Sequence, residues 1–114
     1  MIKKDEQLIE VIALDLFNSA RDDYVGLWDV KNLVKDRHGP LSSYEVRQLS
    51  LRVVERLLSL GMKAVHLLRS GGYVLWENQQ PDAVVAMIDD SWQKLDREPT
   101  LGDIAWFVLP QAST

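Results

Sequence analysis

The residues able to do chemistry are few and scattered. His38 and His66 are the two imidazoles of the chain. Neither has an HxxxH or HxH companion, the spacings that aim two rings at one metal, so metal binding is not expected. Asp22-Asp23 and Asp89-Asp90 supply adjacent carboxylates. Neighbours on a helix point about 100° apart, so they do not converge as an acid/base dyad must. They read better as solvated charge. Ser70-Gly71-Gly72 lacks the Gly-x-x-x-x-Gly-Lys-Ser/Thr frame of a phosphate loop, and no helix pattern follows it directly. The absence of cysteine excludes disulfides, thiolate nucleophiles and Cys-based zinc sites. Serine, histidine and aspartate are all present, yet no arrangement marks a triad. The chain is expected not to be an enzyme and to need no cofactor.

With catalysis unsupported, surface chemistry carries the functional question. The 114 residues have a net charge of −4, unevenly spread. Residues 1–30 hold three basic and seven acidic groups, residues 31–76 eight and three, and residues 77–114 two and seven. An acidic whole repels phosphate at long range, while a basic middle can attract it locally. The composition, 46% hydrophobic and 26% charged, is that of an ordinary soluble protein. No apolar run approaches the roughly 18 residues of a membrane span. Acids following Lys3-Lys4 leave no apolar core for a secretory signal, so a cytoplasmic location is expected.

The elements that must position any surface are legible. Asp5 to about Arg21 repeats apolar residues at helical spacing, with Ile9, Ile12, Ala13, Leu16, Phe17 and Ala20 on one face. Val11 and Leu14 fall on the polar side, either beneath a neighbouring element or as part of a partner contact. Tyr24-Val25-Gly26 reads as a short extended link. A second helix spans about Trp28 to Arg37, with Asp29 early and Lys35 and Arg37 late, matching the helix dipole. Leu27, Val30, Leu33 and Val34 make its core face. Trp28 projects elsewhere, as a partner anchor or as a cap on the first helix.

The third helix has the clearest bounds. Ser42 as N-cap and Glu45 three residues on form a capping box, Leu41 and Val46 suit a hydrophobic staple, and Gly61 is the stop. Residues 63–68 and 73–76 read as strands joined by Arg69-Ser70-Gly71-Gly72. Pro81 begins a further helix to about Asp96, with Val84, Met87, Ile88, Trp92 and Leu95 inward. Residues 104–109 lean towards a strand. The order predicts one α+β domain over residues 1–114. It is winged-helix-like, with three helices, a β-hairpin, an additional C-terminal helix and a short apolar strand.

Asp22 through Val30, the capped third helix, Gly72-Tyr73-Val74, Ala83-Val84 through Trp92, and Arg97 through Phe107 together carry a resemblance. The chain resembles small stand-alone bacterial proteins of winged-helix-like shape, a likeness that implies fold better than activity. Its small, single-domain, acidic character is similar to that of cytoplasmic immunity proteins, which neutralise toxin domains delivered by neighbouring bacteria. No functional residue carries over from either likeness.

Two functions compete. A winged helix would lay its third helix in a DNA groove, where Gln48 could reach adenine, Arg52 and Arg56 guanine or phosphate, and Arg69 the backbone. Glu45 and Glu55 leave that face near neutral, poorer in cations than a nucleic-acid surface normally is. The favoured expectation is a protein-binding module, in its concrete form an immunity protein holding a basic toxin domain such as a nuclease. Its contacts would come from Val11, Leu14, Asp22, Asp23, Trp28, Asp89 and Asp90. A DNA-binding transcription regulator is the alternative.

Overall fold

The computed structural model describes residues 2–21, 23–100 and 103–110, with side chains from Asp5 onward. Asp22, Leu101 and Gly102 lie outside the described residues. The chain runs α1 (Ile2–Ser19), β1 (Val25–Gly26), α2 (Leu27–His38), α3 (Ser43–Ser59), β2 (Lys63–Leu67), β3 (Tyr73–Leu75), α4 (Pro81–Leu95) and β4 (Trp106–Val108). This is an α+β fold, and its order of three helices followed by a ribbon is winged-helix-like. Among the described residues no helix is long and apolar enough to cross a membrane.

α3 is the axis of the molecule, and its ends are set locally. The Glu45 N–H donates to Ser42 Oγ at 3.2 Å, and Glu45 Oε1 accepts from the Ser42 N–H at 3.1 Å. That is the reciprocal capping box. At the other end the Met62 N–H bonds the Leu57 carbonyl and the Gly61 N–H bonds the Leu58 carbonyl, both at 3.1 Å. Gly61 takes φ +109°, so the helix closes in a Schellman motif. Its apolar seal is Met62 against Leu57, both buried. Val46, Val53, Val54 and Leu57 are fully buried between the caps. Each such side chain contributes about 1.5–3 kcal/mol relative to exposure.

α1, α2 and α4 all pack on α3. α1 buries Ile9, Ile12, Ala13, Leu16 and the following Ala20, as its spacing predicts. It ends at Ser19, two residues before the expected Arg21, where the Ser19 hydroxyl turns back to the Asp15 carbonyl at 3.0 Å. α4 buries Val84, Ile88 and Trp92, but Met87 is exposed and Leu95 half-buried. α3 is the one helix packed substantially on α4, so a single neighbour covers a narrower stripe than the sequence pattern implies.

The expected link at residues 24–26 contains a strand instead. β1 pairs with β4, Val25 opposite Phe107 and Gly26 opposite Trp106. A two-residue strand has too little sequence to display alternation, and its partner lies at the far end of the chain. β4 also pairs with β2, and β2 with β3, giving the antiparallel order β1-β4-β2-β3. The apolar run at 104–109 is therefore a central strand over residues 106–108. Ile104 does not join it. With φ +67° it sits in a tight turn in which the Ala105 N–H bonds the Asp103 carbonyl at 2.8 Å. Such a conformation at a β-branched residue costs on the order of 1–3 kcal/mol.

Candidate interaction surface

The basic middle of the sequence is clasped by the acidic ends. From the N-terminal side, Glu10 on α1 holds Arg56 on α3 through Nε at 2.6 Å and a second guanidinium nitrogen at 2.9 Å. Asp15 holds Arg37 at the end of α2, and Asp5 lies 3.8 Å from His38. From the C-terminal side, Glu98 lies 2.9 Å from Lys35 and 3.6 Å from Lys31. Lys31 is buried, and its ammonium also donates to the Pro99 carbonyl at 3.0 Å. Asp89 on α4 lies 3.0 Å from Arg47 Nε on α3, an ionic contact in which the N–H is not aligned on the oxygen.

These contacts leave an electrostatic signature. Hydrogen bonding from Arg56 holds the Glu10 carboxyl below its ordinary value, and the same bond raises Arg56. Hydrogen bonding from Lys35 does the same for Glu98, with Lys31 adding to it. Arg97 and the Thr100 N–H together lower Asp103 to about 2, closing the loop that follows α4.

The clasp bears on both sets of candidate residues. In the nucleic-acid set, Arg56 is occupied by Glu10, and Gln48 is half-buried. Arg52 and Arg69 are exposed, and neither makes an ion pair among the described residues. In the protein-contact set, Val11 and Leu14 are exposed on the outer side of α1, at 49% and 43%. Asp23 is exposed at the turn into β1, where its carboxylate accepts from the Tyr24 N–H, and Trp28 is half-buried at the start of α2. Asp89 is engaged with Arg47, and Asp90 with Lys94 one turn on. α1 and α4 flank α3 separately. The candidate residues are thus spread over α1, the turn into β1, the start of α2 and α4. Asp22 lies outside the described residues.

A different group of exposed apolar residues gathers at one edge of the sheet. Every residue of β3 is exposed: Tyr73, Val74 at 51% and Leu75 at 50%. Leu68, just beyond β2, is exposed beside them. Register places Leu75 next to Val65 and Tyr73 next to Leu67, with Trp106 on the other side of Val65. These side chains share the sheet face opposite the main core. Val65 and Val108 are buried on it yet stand outside the main core cluster. The half-buried Trp106 ring lies against Gly26, where a Cβ would meet it at 3.2 Å, so glycine permits the ring's close approach to β1. Tyr24 meets Tyr73 edge-on, with ring centroids 6.2 Å apart. On the core side, His66 stacks on the buried Trp76 at 5.5 Å.

Sequence reasoning read residues 63–68 and 73–76 as a ribbon but not as a contact surface. The available signal was Tyr73-Val74-Leu75, three apolar residues in succession next to a glycine turn. A hairpin arm with one wet face should alternate polar and apolar residues, and this one does not. Compared with models of protein families, with curated proteins and with solved structures, the chain matches none of them.

Proposed function

We propose that the chain is a non-catalytic protein-binding module acting in the cytoplasm, and that the β2–β3 ribbon is its principal contact surface. One observation carries this reading: Leu68, Tyr73, Val74 and Leu75 are exposed apolar side chains at one edge of the sheet, Tyr73 and Leu75 on one face and Leu68 and Val74 on the other. Scattered apolar residues on a surface need no explanation, whereas a contiguous group on a sheet edge is a place for another chain to dock. The narrower form is an immunity protein that holds a bacterial toxin domain, with a nuclease as the concrete case. Glu77 beside the ribbon and Asp23 near Tyr24 are the exposed acids available to a basic partner there.

The DNA-binding regulator stays as the second reading because Arg52 and Arg69 are exposed and make no ion pair among the described residues. It draws less support, since Arg56 is already held by Glu10 and a phosphate would have to displace that carboxylate.

Co-expression with a candidate basic toxin domain, such as a bacterial nuclease, tests the choice. A complex in which toxin activity is lost, and from which Leu75→Lys releases an active toxin, supports protein binding at the ribbon. A salt-sensitive, sequence-selective DNA complex that Arg52→Ala abolishes, with no protein complex formed, selects the regulator instead.

A further inference from the structure

We propose that β3 pairs antiparallel with β3 of a second copy of this chain, about a two-fold axis at Val74, joining two four-stranded sheets into one. The proposal rests on the reading of the ribbon as a contact surface and names one occupant for its edge.

The free edge follows from the hydrogen-bond pattern. The Leu68 N–H bonds the Gly72 carbonyl, and the Trp76 N–H bonds the Ala64 carbonyl, both at 3.0 Å. His66 lies opposite Val74 midway between those pairs. Hydrogen-bonded and non-hydrogen-bonded pairs alternate along an antiparallel ladder, so Val74 directs its N–H and C=O at β2. Tyr73 and Leu75 therefore direct theirs away from the sheet. β3 ends the strand order, so no strand among the described residues receives them. β3 is short, at three residues, but carries no lysine or proline to blunt its edge.

A second β3 satisfies these groups completely. With Val74 opposite Val74, Tyr73 of each copy faces Leu75 of the other, and every outward N–H and C=O of these residues is paired. Tyr73 against Leu75 is an aromatic–aliphatic cross-strand pair, and the two valines meet in the closer, non-hydrogen-bonded position. Charge favours the same arrangement. Arg69 stands before the strand and Glu77 after it, both exposed and without an ion pair among the described residues. In the antiparallel register Gly71 lies opposite Glu77 of the second copy. Arg69 stands in the same turn, next to Leu68 on the β2 side, so its long side chain can extend towards that glutamate, and the contact repeats on the other side of the axis. A parallel mate would instead set Arg69 near Arg69 and Glu77 near Glu77.

Sedimentation velocity on the full chain, over a concentration range reaching the millimolar, reads the association. The wild type is expected to pass from monomer to dimer. Val74→Lys puts two ammonium groups at the axis on an exposed site and should weaken the dimer about tenfold or more while leaving circular dichroism unchanged. Arg69→Glu and Glu77→Arg should each weaken it, and the two together should restore it. A monomer at every concentration overturns the proposal, as does a dimer indifferent to Val74→Lys. Single charge reversals without effect overturn the antiparallel register. A chain that stays monomeric alone but loses a toxin complex through Leu75→Lys overturns self-pairing while leaving protein binding at the ribbon intact.

Discussion

The helical body and the ribbon are built on opposite terms. Around α3, a core of apolar side chains from all four helices is buried, the caps close on themselves, and Arg37, Arg47, Arg56, Lys31 and Lys35 each have an acid from elsewhere in the chain. On β3, apolar side chains are exposed, and among the described residues its outer backbone groups meet no strand and Arg69 and Glu77 beside it make no ion pair. One region's chemistry is spent internally and makes stability. The other's is unspent and available for binding. Substitutions in the two regions should therefore separate stability from association.

The largest effect is expected in the core of α3. Leu57→Ala removes a fully buried side chain that also seals the Schellman motif, and should cost about 2–5 kcal/mol in a urea titration. A loss below about 1 kcal/mol, the level of a surface change, would mean that α3 is not the axis of the fold.

Next is the clasp. Glu98→Gln leaves the buried Lys31 ammonium with the Pro99 carbonyl but without its counter-charge, and should cost about 1.5–3 kcal/mol at neutral pH. The size decides whether the acidic ends stabilise the body or merely lie on it.

The acid dependence sharpens the same point. The folded pKa values of Glu98 and Asp103 are both lowered, so their contributions are fully present above the unfolded values and are lost as pH falls through the folded ones. For Asp103 that window runs from the ordinary 3.8 down to about 2. Denaturation midpoints should fall as the wild type is acidified through this range, and Asp103→Asn should flatten part of the slope. An unchanged slope would show that the loop after α4 is not held by that carboxylate.

The smallest stability effect is expected on the ribbon. Leu75→Lys should change stability by only about 0.5 kcal/mol, because the side chain is half exposed and its backbone groups do not serve the β2 ladder. A loss of several kcal/mol would make Leu75 a core residue and erase the contrast between the two regions.

The helices were legible because their signals are local. The Ser42–Glu45 box, Gly61 and Pro81 each mark a boundary through the backbone groups of the nearest turn, and the structure keeps all three. The buried stripe of α3 follows from spacing alone. Less legible was anything requiring a distant partner. Val25-Gly26 becomes a strand through Phe107 and Trp106, and Met87 is exposed because α4 has one helical neighbour.

The contact residues divide in the same way. Val11 and Leu14 could be placed on the outer side of α1 from periodicity. Sequence position could not bring Val11, Trp28 and Asp89 into one patch or separate them.

By itself the sequence determined the helical content, the capped axis, the ribbon and the acidic–basic–acidic order of charge, since each is written in neighbours a few residues apart. Only the tertiary structure decided that the acidic ends fold onto the basic middle, that β4 enters between β1 and β2, and that the apolar edge of β3 is left open. The physical reason is that ion pairing and sheet order join groups distant along the chain. Which charge meets which acid, and which strand finds no neighbour, depends on how the helices and strands pack around α3.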